Sequence, residues 1–433
     1  MHSGDVLDLD VTAVAHGGVF VARHEQRVVF VPDAIPGERV RVRLTDTRKA
    51  SFWRGEVLEV LDASPHRRPH VWAPADVTTA PEHRPGGADF GHISLEHQRE
   101  LKADVVRDAL RRFAGSDATV TISDAGADET ADGTGWRTRL GLHVDESGRI
   151  GPYAARSHRV VEVDTHPLAT AEIVAAATAS RAVAPGRLDF AQAADGRVRV
   201  IARPERIARG GKPARAAKPD RAAKPDPVAS EVLIERAGGR EFRVDAGGFW
   251  QVHRLAAATL HDEVAAAVAG AVDPDAEHLD LYGGVGLLAA AVAASGGPAT
   301  RITTVESDPR ATEHAGENLA DLLAARAEIG RVDRWLRALD ERASAAQRAR
   351  LREGVVVLDP PRAGAGRDVV ASVAALAPRR IVYVACDPVA LARDLGIFAE
   401  LGYSTPAVRA FDLFPHSHHV EAIAVLSPTD VAE

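Results

Sequence analysis

The chain has 433 residues, 53 Lys+Arg against 61 Asp+Glu, and a single cysteine, Cys386. At about 150 residues per domain the length corresponds to two or three domains, and 45% hydrophobic with 26% charged residues excludes a disordered or fibrous chain. One cysteine excludes an intrachain disulfide, a Cys-rich zinc site and an iron–sulfur cluster held by several thiolates. No metal site is expected. No apolar run approaches the roughly 18 residues a membrane helix needs, and Met1 to Val6 lacks the basic-then-apolar leader of a secreted chain. A reduced cytoplasm is the expected compartment.

Five β-rich segments open the chain: Val11 to Val14, Val19 to Arg23, Arg27 to Val31, Arg39 to Leu44 and Trp53 to Val60, separated by His16-Gly17-Gly18 and by Pro32 to Glu38. Five short strands in about 60 residues predict a small closed barrel of the oligonucleotide-binding type. Pattern alone leaves open whether it binds RNA or serves as packing. Residues 36–70 carry eight Arg/Lys against five acids, and residues 203–224 eight against two, on a chain of net charge −8. Such runs fit a polyanion partner or a solvated face equally.

Residues 63–95 are rich in Pro, His and Gly and read as irregular. Leu101, Val105, Ala109, Leu110 and Phe113 recur at helical spacing and predict an amphipathic helix over 95–113. From 118 to about 240 the pattern mixes strands such as Arg137 to Val144 with an Ala-rich helix near 167–183. The direct repeat Arg215 to Asp220 and Arg221 to Asp226 places a proline every six residues with almost no apolar bulk. We therefore expect 204–228 to be a disordered basic loop, either touching RNA phosphates or a tolerated insertion.

From 254 onward strands alternate with helices: a helix near 254–270, then strands His278 to Leu281, Arg301 to Val305, Val355 to Leu358 and Ile381 to Ala385. This alternation predicts a parallel, doubly wound, Rossmann-like sheet. Ser404 to Leu413 and His419 to Leu426 read as a closing antiparallel hairpin. The expected organisation is a β-barrel over 1–62, an α+β region over 63–240 and the Rossmann-like domain over 241–433.

The chemistry concentrates at the carboxyl ends of those strands, which line the ligand crevice of an open α/β sheet. Asp280-Leu-Tyr-Gly-Gly-Val-Gly286 puts Gly284 and Gly286 where a strand turns into a helix, and Glu306 ends the next strand. A glycine turn followed by an acid suits a nucleoside-bearing cofactor, or is simply a turn. Asp359-Pro360-Pro361-Arg362 closes one strand and Cys386 the following one, so both face the crevice. Cys386 is either an inert buried thiol or a nucleophile, which the adjacent Asp387 opposes. Glu421 is either a base or a surface carboxylate.

Together these motifs resemble the RNA uridine-C5 methyltransferase family. The matching runs, in order, are Gly248 to His253, Asp280 to Gly286, Val305-Glu306, Asp359 to Gly364, Tyr383 to Pro388 with Leu391 to Leu395, and Asp412 to Pro415 through His419-Val420-Glu421. Gly17-Gly18 and Val31 to Val40 resemble the TRAM RNA-binding module. The resemblance implies S-adenosylmethionine as cofactor and transfer or ribosomal RNA as partner, with a monomer as the default state. It implies Cys386 as nucleophile toward carbon 6 of uracil, Glu421 as acceptor of the carbon-5 proton, and Asp359 as an orienting group. Gln251, Tyr282, Glu306, Asp359, Gly284, Gly286 and Asp333 are the implied cofactor contacts. The base must leave its stack to reach such a site.

The lone cysteine sets this chain apart from RNA cytosine-C5 methyltransferases, which use two. Many relatives hold an iron–sulfur cluster through cysteines that 63–95 and His166 do not supply, so no cluster is expected. Gly283, Leu287 and His253 also depart from common family residues. Two other readings remain at this level: an RNA-binding protein with a vestigial methyltransferase domain, and a small-molecule methyltransferase, which the barrel argues against.

Overall fold

The computed structural model describes residues 1–181, 184–205 and 227–429. Most of the expected 204–228 loop lies outside the described residues. The chain divides into two compact units, one of 1–101, 130–231 and 414–418, the other of 102–129, 232–413 and 419–433.

The first unit begins with strands β1 (Val6–Ala15), β2 (Val19–His24), β3 (Arg27–Val31), β4 (Arg39–Asp46) and β5 (Phe52–Asp62). They close into a barrel in the order β1-β2-β3-β5-β4, with β4 pairing back onto β1. Alternation drives it: Leu9 and Val11, Phe20 and Ala22, Val29 and Val31, Val40, Val42 and Leu44, Trp53 and Val57 point inward in steps of two. The expected five strands are present, with β1 starting five residues earlier than its apolar run. Much of the basic run is neutralised locally: Arg41 pairs with Asp8 and Glu59, Arg43 with Glu56, Arg48 with Asp46, and Arg67 with Glu38.

The irregular 63–95 segment is organised by polar hubs. Arg84, 3% exposed, donates to the carbonyls of Thr79, Val57 and Val77 and to the Asp33 carboxylate. Glu38, 1% exposed, accepts from Arg67, Ile35 N and Ser64 N. Full satisfaction is what makes burying such groups tolerable.

Helix α1 (Leu95–Ala109) ends in one π-helical turn over Leu110–Ala114 and is followed by β6 (Thr119–Ser123). Strands β7 (Arg139–Val144), β8 (Ile150–Gly151), β9 (Gly186–Gln192) and β10 (Val198–Pro204) form a four-stranded sheet in the first unit, covered by α2 (Ala171–Ala179). The segment 414–418 packs into this unit. Gln98 Oε1 accepts from His416 N at 2.7 Å and Nε2 approaches His416 Nδ1 at 3.1 Å, while His418 Nδ1 lies 2.7 Å from Asp89.

The second unit adds the hairpin β11 (Val232–Ala237) and β12 (Arg240–Asp245), α3 (Ala256–Val268), β13 (His278–Leu281), α4 (Leu287–Gly296), β14 (Ile302–Glu306) and α5 (Pro309–Asn318). It continues with β15 (Arg326–Ile329), α6 (Val332–Arg342), α7 (Ala345–Arg352), β16 (Val355–Leu358), α8 (Arg367–Ala375), β17 (Arg380–Ala385) and α9 (Pro388–Glu400), and ends with β18 (Tyr403–Ser404), β19 (Ala407–Phe411) and β20 (Glu421–Pro428). The main sheet runs β15-β14-β13-β16-β17-β20-β19-β6. Its first five strands are parallel and β20 is antiparallel to both neighbours. Strands β13, β16 and β17 are buried along almost their whole length, as central parallel strands require.

The Rossmann-like sheet is therefore present, with two departures from expectation. Strand β6, from the expected middle region, pairs in parallel with β19 at the sheet edge. The 240/241 boundary falls inside the β11–β12 hairpin, and both strands belong to the second unit. The expected closing antiparallel hairpin is present as β19 and β20, with β20 inserted between β17 and β19.

Candidate functional site

Four loops of the second unit meet at the carboxyl ends of β13, β14, β16 and β17, where the sheet presents its backbone termini. The first is Tyr282 to Gly286. Tyr282, a non-glycine residue at φ +65°, turns the chain sharply out of β13, and Gly284 and Gly286 follow at φ +53° and +90°. Those angles favour glycine strongly. Gly283 also has no room for a Cβ, which would run into Thr304 and Asp280. The turn is pinned by Gly283 N to Val305 O at 3.1 Å and by Gly284 N to Glu306 Oε2 at 3.2 Å. Glu306 Oε1 accepts from Ser307 N and Asp308 N at 2.5 and 2.8 Å. Its spare acceptor capacity lies on Oε2.

Asp280 lies beneath this turn with 0% exposure, accepting from Ala289 N and the Thr304 hydroxyl. Burial pushes its carboxyl up to about 7, reinforced by Glu306.

A cavity of about 510 Å³ opens beside the turn, within the roughly 300–1,000 Å³ of small-ligand sites. Tyr282, Ser307, Arg331, Asp333, Ala365 and Gly366 are among its walls. Asp333 is paired with Arg331 and Arg337. Of the expected cofactor contacts, Tyr282 and Asp333 line this cavity. Glu306, Gly284 and Gly286 buttress the turn, and half-buried Gln251 lies outside the lining.

The expected reacting groups gather one strand further on. Leu358 pairs with Tyr383, so Asp359 and the end of β17 are neighbours, and Asp359 N donates to Leu281 O at 3.2 Å. Ala385 pairs with Ala422 across β17 and β20, which brings Cys386 and Glu421 to one end of adjacent strands. Glu421 is 5% exposed and Cys386 half-buried. Burial, then Asp359, pushes the Glu421 carboxyl well up; burial, then Asp280, pushes Asp359 up. Burial first, then Glu421 and Asp359, pushes the Cys386 thiol up to about 11, while Arg362 pulls it down. A thiol beside two carboxyls of raised proton affinity, with one guanidinium near, can support addition coupled to proton transfer.

Asp387, which the sequence sets against the thiolate, caps α9 by accepting from Ala390 N at 2.8 Å. Leu287 is buried in the first turn of α4, so its departure serves packing there.

Three contributors escape the sequence reading. Phe249 is 73% exposed beside Gln251, whereas adjacent Trp250 is buried; sequence cannot tell which of two neighbouring aromatics faces out. Asn318 donates to Val285 O in the glycine turn at 2.9 Å and to Arg243 O at 3.1 Å, and accepts from Arg243 N. Asp394, quoted within Leu391 to Leu395, carries no role until its contacts are seen.

Residues 2–58 match the TRAM domain model and residues 334–428 the tRNA (Uracil-5-)-methyltransferase model. An RNA methyltransferase of Streptomyces avermitilis is 38% identical over 98% of this chain and 99% of its own length. One of Streptomyces coelicolor is 39% identical over 98% and 93%. The tRNA (uracil-54, C5)-methyltransferase of Pyrococcus abyssi, solved with S-adenosyl-L-homocysteine, shares the fold at TM-score 0.66 and 20% identity, covering 96% of this chain and 99% of that one.

Proposed function

This chain belongs to the S-adenosylmethionine-dependent RNA uridine-C5 methyltransferase family, and on that premise we propose that it methylates a uridine of transfer or ribosomal RNA through a covalent adduct on Cys386. The observation that carries the reading is the pairing of β17 with β20, which ends with Cys386 and Glu421 side by side next to Asp359.

The residues around the cavity fit the cofactor. A backbone turn that only small residues allow, an aromatic ring from Tyr282, and the carboxylates of Glu306 and Asp333 suit a nucleoside carrying a cationic sulfonium. Tyr282 and Asp333 would hold the adenosine, Glu306 would take the ribose and Gln251 the methionine portion. When bound, S-adenosylmethionine supplies the methyl as an electrophile and leaves as the neutral thioether.

Carbon 5 of uracil is a weak nucleophile. Ionised, with its proton released to solvent, the Cys386 sulfur forms a bond to carbon 6, the C5–C6 π electrons move toward O4, and carbon 5 becomes enolate-like. Asp359 orients the ring through its edge. After methylation Glu421 takes the carbon-5 proton, those electrons restore the C5–C6 bond, and the thiolate leaves. Glu421 must be ionised for that step, and the raised proton affinity that burial gives it makes it a stronger base. Phe249 offers an exposed apolar face for a base that has left its stack. The barrel presents basic side chains stacked on aromatic rings to the polyanion, with Arg27 over Trp53 at 4.7 Å and Arg54 over Phe52 at 5.8 Å.

RNA bearing 5-fluorouridine tests the covalent route, because fluorine at carbon 5 denies Glu421 a proton to remove. A stable protein–RNA adduct, absent in Cys386→Ala, is expected. Methylation of natural RNA by Cys386→Ala would overturn the mechanism. Nucleoside mass spectrometry of transfer and ribosomal fractions from deletion cells then names the substrate.

A further inference from the structure

The loop from Asp359 to Gly366 borders both halves of the chemistry. Ala365 and Gly366 wall the 510 Å³ cavity opposite Tyr282 and Asp333. Arg362, midway along and exposed, is the cation that acts on the Cys386 thiol. The loop contains a tight turn, Gly364 N to Pro361 O at 2.8 Å, with Gly364 at φ +83°. One end is fixed by Asp359 N on Leu281 O.

The other end is held by a buried carboxylate. Asp394, 4% exposed on α9, uses one oxygen, Oδ2, to accept from Ala365 N at 2.7 Å, Gly366 N at 3.2 Å and the Tyr383 hydroxyl at 2.5 Å. The Tyr383 oxygen also accepts from Ala365 N at 3.0 Å. A side chain at Gly364 would run into that carboxylate. Tyr383 is fully buried on β17, three residues before Cys386. The strand that carries the thiol and the helix that follows it thus reach across to grip the same loop. A buried carboxylate taking three donors is a rigid anchor, since releasing the loop would leave the carboxylate itself without the donors that make its burial tolerable.

We propose that Asp394 and Tyr383 form a positioning pair that seats the Asp359–Gly366 loop, setting one wall of the methyl-donor cavity and holding Arg362 beside Cys386. The pair touches no reacting atom. It makes the donor cavity and the thiol respond together to one anchor. The groups facing the thiol are Glu421 from β20, Asp359 and Arg362 from the loop, and the neighbouring Asp387 on its own element. Of these Arg362 alone favours the thiolate, so releasing the loop disfavours it.

This rests on Cys386 being the reacting thiol, and it is tested without methyl transfer. Tyr383→Phe removes one oxygen, and Asp394→Asn keeps an acceptor but loses the charge. In each full-length variant, calorimetry measures the Kd for S-adenosylhomocysteine. The pH profile of iodoacetamide alkylation, read by intact mass, reports Cys386 alone because it is the sole cysteine. We expect Kd to rise about tenfold and the alkylation midpoint to rise by about half a pH unit. Arg362→Ala should raise the midpoint equally, with no further rise on adding Tyr383→Phe. A variant that melts lower but keeps the wild-type Kd and midpoint has lost only stability. That result in Tyr383→Phe overturns the proposal even if Asp394→Asn fails to fold. Activity in Cys386→Ala, by contrast, would remove the nucleophile assignment and leave both readouts standing.

Discussion

Cys386 and Glu421 lie 35 positions apart in the chain and come together one residue beyond the Ala385–Ala422 pair, the last rung shared by β17 and β20. A one-residue slip of that ladder would turn every side chain of β20 to the opposite face. The register is secured because Ala422 and Ala424 are buried in the main core and Ile423, also buried, lies on the opposite face of the strand.

The thiol gives the first prediction. Glu421 and Asp359 both raise it, so removing one negative charge lowers it. Glu421→Gln should bring the midpoint of the alkylation profile down by about one unit, tenfold in thiolate at a fixed pH below it. An unchanged midpoint would separate Glu421 from the thiol.

Asp280 contributes stability that falls as the pH rises from about 4 to 7, against His70, His92, His166 and His253, whose proton affinity is lowered by burial and acts with the opposite sign. Asp280 holds its proton up to about 7 in the fold but loses it near 3.9 when unfolded. In that window the folded state binds more protons, so each pH unit costs about 1.4 kcal/mol from this group alone. Asp359 and Glu421, raised by the same cause, add the same sign. In calorimetric melting, the Tm of Asp280→Asn relative to wild type should be higher at pH 7 than at pH 5; the same difference at both pH values would place the linkage elsewhere.

Asn318 ties the glycine turn to β12. Asn318→Ala leaves Val285 O and both backbone groups of Arg243 without these partners, at about 1–3 kcal/mol each where water cannot enter. The affinity for S-adenosylhomocysteine should fall about tenfold in titration calorimetry. Wild-type affinity in a folded variant would show that the turn holds itself.

Phe249→Ala removes little buried area, because the ring is 73% exposed. Its Tm should stay within about 1 °C, while methylation of RNA drops at least several-fold at saturating cofactor. Equal turnover would mean that the ring does not meet the substrate.

On the barrel, ion pairing separates two kinds of arginine. Arg41 is shared between Asp8 and Glu59, whereas Arg27 and Arg54 lie over aromatic rings. Arg27→Ala and Arg54→Ala should each reduce the salt dependence of RNA binding by about one unit of slope, and Arg41→Ala should not. The measurement is a binding titration at several salt concentrations.

Local pattern was enough for much of this protein. Alternating apolar residues marked all five barrel strands, and the apolar four-residue run Val355–Leu358 marked β16, because burial on one or both faces leaves a periodic trace. The carboxyl-end rule then put Asp359 and Cys386 on one crevice before any coordinates. Strand β15, whose residues are exposed or half-buried, left no trace in the sequence. The expected middle region failed as a unit because β6 finds its partner nearly 290 residues away, a pairing that no local signal records.

The motifs alone determined which residue types are present for the chemistry: one thiol, a glycine turn, and carboxylates at strand ends. Only the tertiary structure decided their protonation and their anchors. Asp387 adjoins the thiol in the chain and caps a helix, while Glu421, the largest charged influence on the thiol, arrives from a strand 35 positions later. Asp394 looked like one more polar residue on a helix, yet it holds the loop that walls the donor cavity. Electrostatic and hydrogen-bond energies depend on distance and solvent exclusion, and folding sets both between residues that the sequence keeps far apart.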